Sequence, residues 1–250
     1  MRILVSNDDG IHSPGVRLLA QAAIAIGSEV WVVAPERKWT AASHQLSFDR
    51  ELTLTRMGDR VYACSGAPAD CVVAAMTVLF GGGSRPDLVL AGINDKRNVA
   101  EDSAYSGTTA IAREATFWGV PAISLSREQG ETDGAGDLEA LCRLLRLLWN
   151  GRADWAAEGH WLNINLPGSL PAPLIQARIG RDKIGAAADI LGASPERIRY
   201  RLRRGRPGTI TARDENACLD AGQISVVRYC WFAEARLPDG VFAAWQAALG

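Results

Sequence analysis

The chain has 250 residues, with 27 Lys and Arg against 28 Asp and Glu and a formal net charge of −1. A 48% hydrophobic and 22% charged composition can build a large core and excludes a largely disordered protein. The near-neutral balance argues against a general polyanion binder, and no run of about 18 apolar residues suggests a membrane span.

From the N-terminus, Arg2-Ile3-Leu4-Val5-Ser6 reads as a buried strand, and no leader pattern precedes it, so the cytoplasm is the expected location. Residues 16–26 carry apolar side chains at helical spacing and stop at Gly27. Residues 30–33 form a second strand, closed by Ala34 and Pro35. Residues 52–55 and 60–63 straddle Met57, Gly58 and Asp59 as a hairpin. Helices follow at 69–80, 106–118 and 138–149, alternating with apolar strands at 87–91, 121–125 and 161–165. Continuous apolar strands separated by helices predict a parallel sheet covered on both faces, an α/β fold that binds ligands beyond the carboxyl ends of its strands.

After Asn165 the pattern changes. Prolines and glycines punctuate the chain, residues 197–203 alternate as a strand with one cationic face, and residues 223–229 read as another strand. The expected organisation is a core over 1–165 and a smaller β-rich extension over 166–250. Of the five cysteines, no pair has metal-binding or redox spacing, and they read as reduced, buried small residues.

The chemistry sits at strand ends. The first strand runs into Asn7, Asp8, Asp9 and Gly10. Adjacent carboxylates repel, Gly10 permits a tight turn, and a hard divalent cation would offset the repulsion. A solvated Asx turn explains the same residues equally well. Asn94, after the third parallel strand, either offers an amide oxygen to that cation or caps a loop. Ser106, Gly107 and Thr108 open a helix, where hydroxyls and unpaired N–H groups can cradle an anion; plain N-capping by Ser106 is the simpler alternative. Oxygen ligands for a cation beside an anion cradle suit phosphate-ester hydrolysis.

Several ordered blocks then resemble the SurE (survival protein E) family of metal-dependent nucleoside monophosphate phosphatases. They are the stretch from Ile3 to Gly10 with Pro14 and Gly15, Val32 to Pro35, Gly66 to Val72, Pro86 to Asn94, Tyr105 to Thr108, Gly119 to Ile123, and Asn163 to Pro167. The resemblance implies a Rossmann-like three-layer α/β/α core and one divalent cation per subunit, Mg²⁺ or Mn²⁺. That cation would be held by Asp8, Asp9, Asn94 and Thr40, the last standing where the family has serine. Asp8 and Asp9 would also be the catalytic pair. Asn98, Ser106, Gly107 and Thr108 match the family's phosphate site, and Ser43 matches a second serine of the loop after the strand 30–33. The partners implied are a nucleoside 5′- or 3′-monophosphate as substrate and further copies of the chain, as a homodimer or homotetramer that exchanges the C-terminal arm. No membrane and no sequence-specific nucleic acid are expected.

Three departures stand out. Thr40 and Ala41 replace a Ser-Gly pair, and Lys96 and Ala100 replace glycines. If the backbone needs positive φ at the last two, each non-glycine residue costs about 1–2 kcal/mol, or the loop takes another path. Lys96 and Arg97 also place cations near Asn94, where they would compete with a metal and attract phosphate. These departures keep open the alternative of a non-catalytic or weakly active phosphate-binding protein on the same fold. A phosphatase with an aspartate nucleophile is a weaker reading, because Asn7-Asp8-Asp9 lacks the Asp-x-Asp spacing.

Overall fold

The structure, a computed structural model, describes residues 1–128, 135–181, 187–203, 212–232 and 240–249. The first strand, β1 (Arg2–Ser6), is followed by α1 (Pro14–Ile24) and β2 (Glu29–Pro35). The hairpin β3 (Leu54–Gly58) and β4 (Val61–Cys64) precedes α2 (Pro68–Ala74), which continues into a π-helical turn over Ala75–Leu79. Then come β5 (Leu88–Asn94), α3 (Asp102–Tyr105), α4 (Gly107–Phe117), β6 (Ala122–Arg127), α5 (Ala135–Asn150), α6 (Arg152–Trp155) and β7 (His160–Leu166). The remainder supplies β8 (Leu174–Gln176), β9 (Ala187–Ala193), β10 (Ile198–Arg203), α7 (Glu215–Asp220), β11 (Ile224–Cys230) and α8 (Val241–Leu249).

The main sheet has nine strands in the order β3-β4-β2-β1-β5-β6-β7-β11-β8. From β4 to β7 every pairing is parallel. Strand alternation divides the core into two layers. Ile3, Val5, Leu90, Ile123 and Leu125 face one side, packed with Val16 and Leu19 of α1 and Leu141 and Leu145 of α5. Leu4, Val33, Val89 and Ala91 face the other, packed with Cys71 and Val72 of α2 and Ile111 and Ala115 of α4. This is the mostly parallel, three-layer fold expected, and it explains why the strands read as unbroken apolar runs: both faces are covered.

Beyond Leu166 the chain does not form a separate sheet throughout. Strand β11 pairs antiparallel with β7, and β8 pairs with β11, so both extend the main sheet. Strands β9 and β10 form a two-stranded antiparallel sheet of their own. The cationic face expected of residues 197–203 is present in Arg199, Arg201 and Arg203, but the opposite face is exposed as well, with Ile198, Tyr200 and Leu202 in solvent. Residues 182–186, 204–211 and 233–239 of this region lie outside the described residues. Among the described residues all five cysteines are free, and no helix is long and apolar enough to cross a membrane.

The extension reaches back to the core through Glu215 of α7. Its Oε2 accepts the Ala100 N–H at 2.8 Å and the Gly180 N–H at 3.4 Å. Burial pushes this carboxyl from its ordinary 4.5 up to about 6, against the opposing effect of the Ala100 and Gly180 hydrogen bonds. A carboxyl raised in the folded state binds its proton more tightly there than in the unfolded chain. Its contribution is therefore most favourable below about pH 4.5 and is lost as pH rises through about 6, a span worth about 2 kcal/mol. The expected result is that Glu215→Gln, which keeps an oxygen for Ala100, removes that drop. Urea unfolding of both proteins between pH 4 and 7.5 measures it, and parallel curves would contradict the assignment.

Candidate active site

The sheet order places β1 between β2 and β5. Their carboxyl ends therefore converge, at the switch point where a doubly wound sheet opens a crevice. The turn after β1 is closed by Asn7, whose Nδ2 donates to the Gly10 carbonyl at 3.0 Å and to Ser13 Oγ at 2.6 Å. Gly10 has φ +97°, the left-handed conformation expected of it. The side chain of Asn7 thus supplies the Asx-type closure, while Asp8 and Asp9 point to other partners.

Asp8 is buried and accepts the Thr108 hydroxyl at 2.5 Å. Burial pushes its carboxyl from 3.8 up to about 6, the Thr108 hydrogen bond opposes the rise, and the Asp9 charge adds to it. Asp9 accepts the Asp95 N–H on Oδ2 at 3.1 Å, and the Lys38 ammonium lies 2.5 Å from its Oδ1. That oxygen is buried and its partner is the lysine charge. A buried carboxylate next to a second one in sequence, with neutral oxygen donors beside them, is a donor set that suits a hard divalent cation. Among the described residues no three His, Cys, Asp or Glu side chains converge on a metal position. A cation here would accordingly rest on two carboxylates and neutral oxygen donors, the set that Asp8, Asp9, Asn94 and Thr40 offer.

A cavity of about 210 Å³ gathers most of the residues singled out in the sequence. Asp8, Asp9, Thr40, Asn94, Asn98 and Ser106 all line it. Asn94 donates Nδ2 to the Lys96 carbonyl at 2.7 Å, which orients its amide. Ser106 caps α4 by accepting the Thr109 N–H at 3.1 Å, so the capping reading holds, and the same hydroxyl still faces the cavity. Gly107 serves close approach: a Cβ there would lie 2.8 Å from Asp8 Cβ and 2.8 Å from Pro68 Cγ. Thr108 is fully buried beneath Asp8, where it supports the carboxylate and does not line the cavity. Ser43 is not brought to the cavity either. Its Oγ donates to the Ala104 carbonyl at 2.8 Å and its N–H to the Tyr105 carbonyl at 2.9 Å, tying the loop after β2 to α3.

Two sets of residues escaped the sequence reading. The first is Lys38 with Asp95: the ammonium lies 2.6 Å from Asp95 Oδ2 as well as on Asp9. The second is a buried polar column on β6 and β7. Asn98 donates Nδ2 to Ser126 at 2.8 Å and its N–H to Asn165 Oδ1 at 2.7 Å, while Asn163 and Asn165 both donate to the Asn98 carbonyl. Polar residues inside otherwise apolar strands were the available signal for the second set. His12 lines an adjoining cavity of about 580 Å³ that shares Asp9, Lys38, Asn94 and Asp95 with the first.

The departures in the loops resolve individually. Ala41 and Ala100 take the left-handed conformation, at φ 54° and 50°, whereas Lys96 does not. Arg97 is directed away from Asn94: it pairs with Glu128, donates to Asn216 Oδ1 at 2.7 Å and pairs with Asp220 at 3.1 Å. The cation that touches a proposed metal ligand is Lys38.

Known proteins resemble this chain in sequence and in fold. The family model described as survival protein SurE matches residues 3–185. A 5′-nucleotidase SurE of Cereibacter sphaeroides is 42% identical over 189 residues, covering 71% of this chain and 70% of the relative. A 5′-nucleotidase SurE of Methylocella silvestris is 48% identical over 130 residues, 52% of this chain and 51% of that protein. The crystal structure of a SurE protein from Aquifex aeolicus superposes with a TM-score of 0.76 at 26% identity, covering 99% of this chain and 98% of that one.

The Gly107 contact yields a test of the site's packing. Gly107→Ala is expected to destabilise the fold by about 1–3 kcal/mol, because the added methyl meets Asp8 and Pro68 inside van der Waals distance. Denaturant midpoints measure it, and an unchanged midpoint would show that α4 withdraws from Asp8 without cost.

Proposed function

The chain belongs to the SurE family, and we propose that it is a metal-dependent nucleotidase that hydrolyses nucleoside 5′- or 3′-monophosphates to nucleoside and phosphate. The observation that carries the reading is the pair Asp8 and Asp9 after β1, both with enclosed side chains, at a cavity also lined by Thr40, Asn94, Asn98 and Ser106. The names of its relatives support the substrate class.

In this reading Asp8, Asp9, Thr40 and Asn94 hold one divalent cation, Mg²⁺ or Mn²⁺. Such a cation polarises a phosphoryl oxygen and acidifies a water. One of these two aspartates would also orient the attacking water. Ser106, whose oxygen already accepts the Thr109 N–H, has its hydroxyl proton to donate to a phosphate oxygen. Asn98 has one amide hydrogen on Ser126 and a second to offer the same anion. Thr108 acts indirectly by fixing Asp8, and Gly107 by letting α4 approach it. Ser43 shapes the loop that presents Thr40.

The alternative of a weakly active or purely phosphate-binding protein gains support from one observation, the Lys38 ammonium on Asp9. Phosphate release from a nucleotide panel with Mg²⁺, Mn²⁺ or EDTA separates the two. Turnover is expected to require the cation and to fall by at least 10³-fold in Asp8→Asn and Asp9→Asn, corresponding to loss of about 4 kcal/mol of transition-state stabilisation. Full activity in EDTA would eliminate the metal mechanism, and no hydrolysis of any nucleotide by the metal-loaded protein would favour the binding reading.

We place the metal- and phosphate-binding core in residues 1–165 and an oligomerisation arm in residues 166–250 of a cytoplasmic homodimer or homotetramer, without membrane or sequence-specific nucleic-acid partners. The support is the β9–β10 hairpin, which exposes Ile190, Ile198, Tyr200 and Leu202. A two-stranded hairpin with apolar side chains in water is marginal by itself and gains by packing on another copy. Light scattering is expected to give a multiple of the chain mass at micromolar concentration, reduced by Ile198→Glu with Leu202→Glu. A monomeric mass for the unmodified chain would refute the arm.

A further inference from the structure

Lys38 lies just past β2, where the chain bends over the acidic turn and the Trp39 N–H donates to the Asp8 carbonyl at 2.7 Å. That bond fixes the backbone beside Lys38 against the carboxyl end of β1. The lysine ammonium then lies between two carboxylates, 2.5 Å from Asp9 Oδ1 and 2.6 Å from Asp95 Oδ2. Asp9 is nearly enclosed, its side chain 7% exposed, whereas those of Lys38 and Asp95 are 48% and 57% exposed. One end of this bridge is therefore enclosed in the site and the other is open to solvent. Burial by itself would lower the Lys38 ammonium, but the hydrogen bonds and charges of Asp9 and Asp95 outweigh it and raise it, so the group is a cation under any ordinary condition.

Two arginines near the site are engaged elsewhere. Arg97 is held by Glu128, Asn216 and Asp220, and Arg37 stacks over Trp39 with its guanidinium 4.8 Å from the ring centroid. Asp95 holds the arrangement from two directions, since its N–H donates to Asp9 Oδ2 while its carboxylate takes the Lys38 ammonium.

We propose that Lys38 sets the affinity of the acidic turn for its divalent cation: its ammonium balances Asp9 in the absence of metal and must leave Oδ1 for the metal to bind, with Asp95 as the acceptor that retains it. This rests on the metal-dependent reading above and adds to it a positioning residue whose charge the metal must displace. The physical reason is that one carboxylate oxygen in a nearly closed site cannot keep an ammonium at 2.5 Å and take a divalent cation in its place without the two positive charges meeting in low dielectric. The exposed end of the bridge makes the exchange feasible, because the lysine can transfer wholly to Asp95 without being expelled to bulk water.

The test is Mn²⁺ titration calorimetry on the 250-residue chain and on Lys38→Met and Lys38→Arg, with thermal unfolding to establish that each is folded. Lys38→Met is expected to lower the Mn²⁺ dissociation constant tenfold or more, and Lys38→Arg, which keeps the charge, to stay within threefold of the original. A Lys38→Met protein that binds Mn²⁺ no more than threefold better than the unmodified chain overturns the role of Lys38 while leaving the metal site standing. Equal tightening in Lys38→Met and Lys38→Arg also overturns it, since the effect would then come from local packing rather than charge. If neither the unmodified chain nor Lys38→Met binds Mn²⁺, the metal-dependent reading fails and this inference with it.

Discussion

The structure is organised around negative charge that has been taken out of water at the end of one central strand. Asp8 and Asp9 lie in the turn after β1, a strand flanked on both sides, and both side chains are enclosed. Each must find its compensation locally. Asp8 has the Thr108 hydroxyl at the start of α4, whose N-terminal N–H groups also favour an anion. Asp9 has the Asp95 N–H and the Lys38 ammonium. For Asp8 the compensation is incomplete, as the upward displacement of its carboxyl to about 6 indicates.

The partners that offset this charge come from distant parts of the sequence, and sheet topology explains why they meet. Lys38 follows β2 and Asp95 follows β5, and those are the two strands that pair with β1. Parallel pairing puts all three carboxyl ends at one edge, so residues 57 apart in sequence form a salt bridge. The same logic extends one strand further. Ser126 from β6 and Asn163 and Asn165 from β7 fix the backbone and amide of Asn98, so the wall of the cavity opposite the aspartates is set by a hydrogen-bonded column rather than by loop packing.

This accounts for what the sequence does and does not disclose. The α/β core is legible because strands buried on both faces are predominantly apolar, and residues 87–91, 121–125 and 161–165 stand out against the helices between them even with Asn163 and Asn165 in the last. Asp8, Asp9 and Asn94 draw attention by their place after strands, but an Asx turn or a loop cap accounts for them as well, and the resemblance to family motifs is what singles them out. Lys38 and Asp95 are not legible, since a lysine and an aspartate in surface loops are ordinary until the strand order is known. Strands β8 and β9 also escape notice. The first is three residues long, and the second is largely exposed, so neither carries the alternation that burial imposes. The helical pattern at 69–80 correctly marks α2 but cannot reveal that its last turn widens into a π-helix, where the Phe80 N–H reaches the Ala75 carbonyl.

The loop from Asn94 to Ala100 shows how the C-terminal part of the chain enters the site. One end is held by Asp9, which accepts the Asp95 N–H, and the other by Glu215, which accepts the Ala100 N–H. Between them Arg97 reaches Asn216 and Asp220 on the same short helix, α7. Ala100 keeps a left-handed backbone that an L-residue adopts only at a cost of about 1 kcal/mol, so something outside the loop must hold it there. The buried Glu215 carboxylate is that restraint, and its own desolvation is the opposing cost, visible as a carboxyl raised to about 6. The extension is therefore not an independent appendage to the cavity: the conformation that presents Asn94 and Asn98 on one edge of the sheet depends on a helix contributed from beyond residue 211.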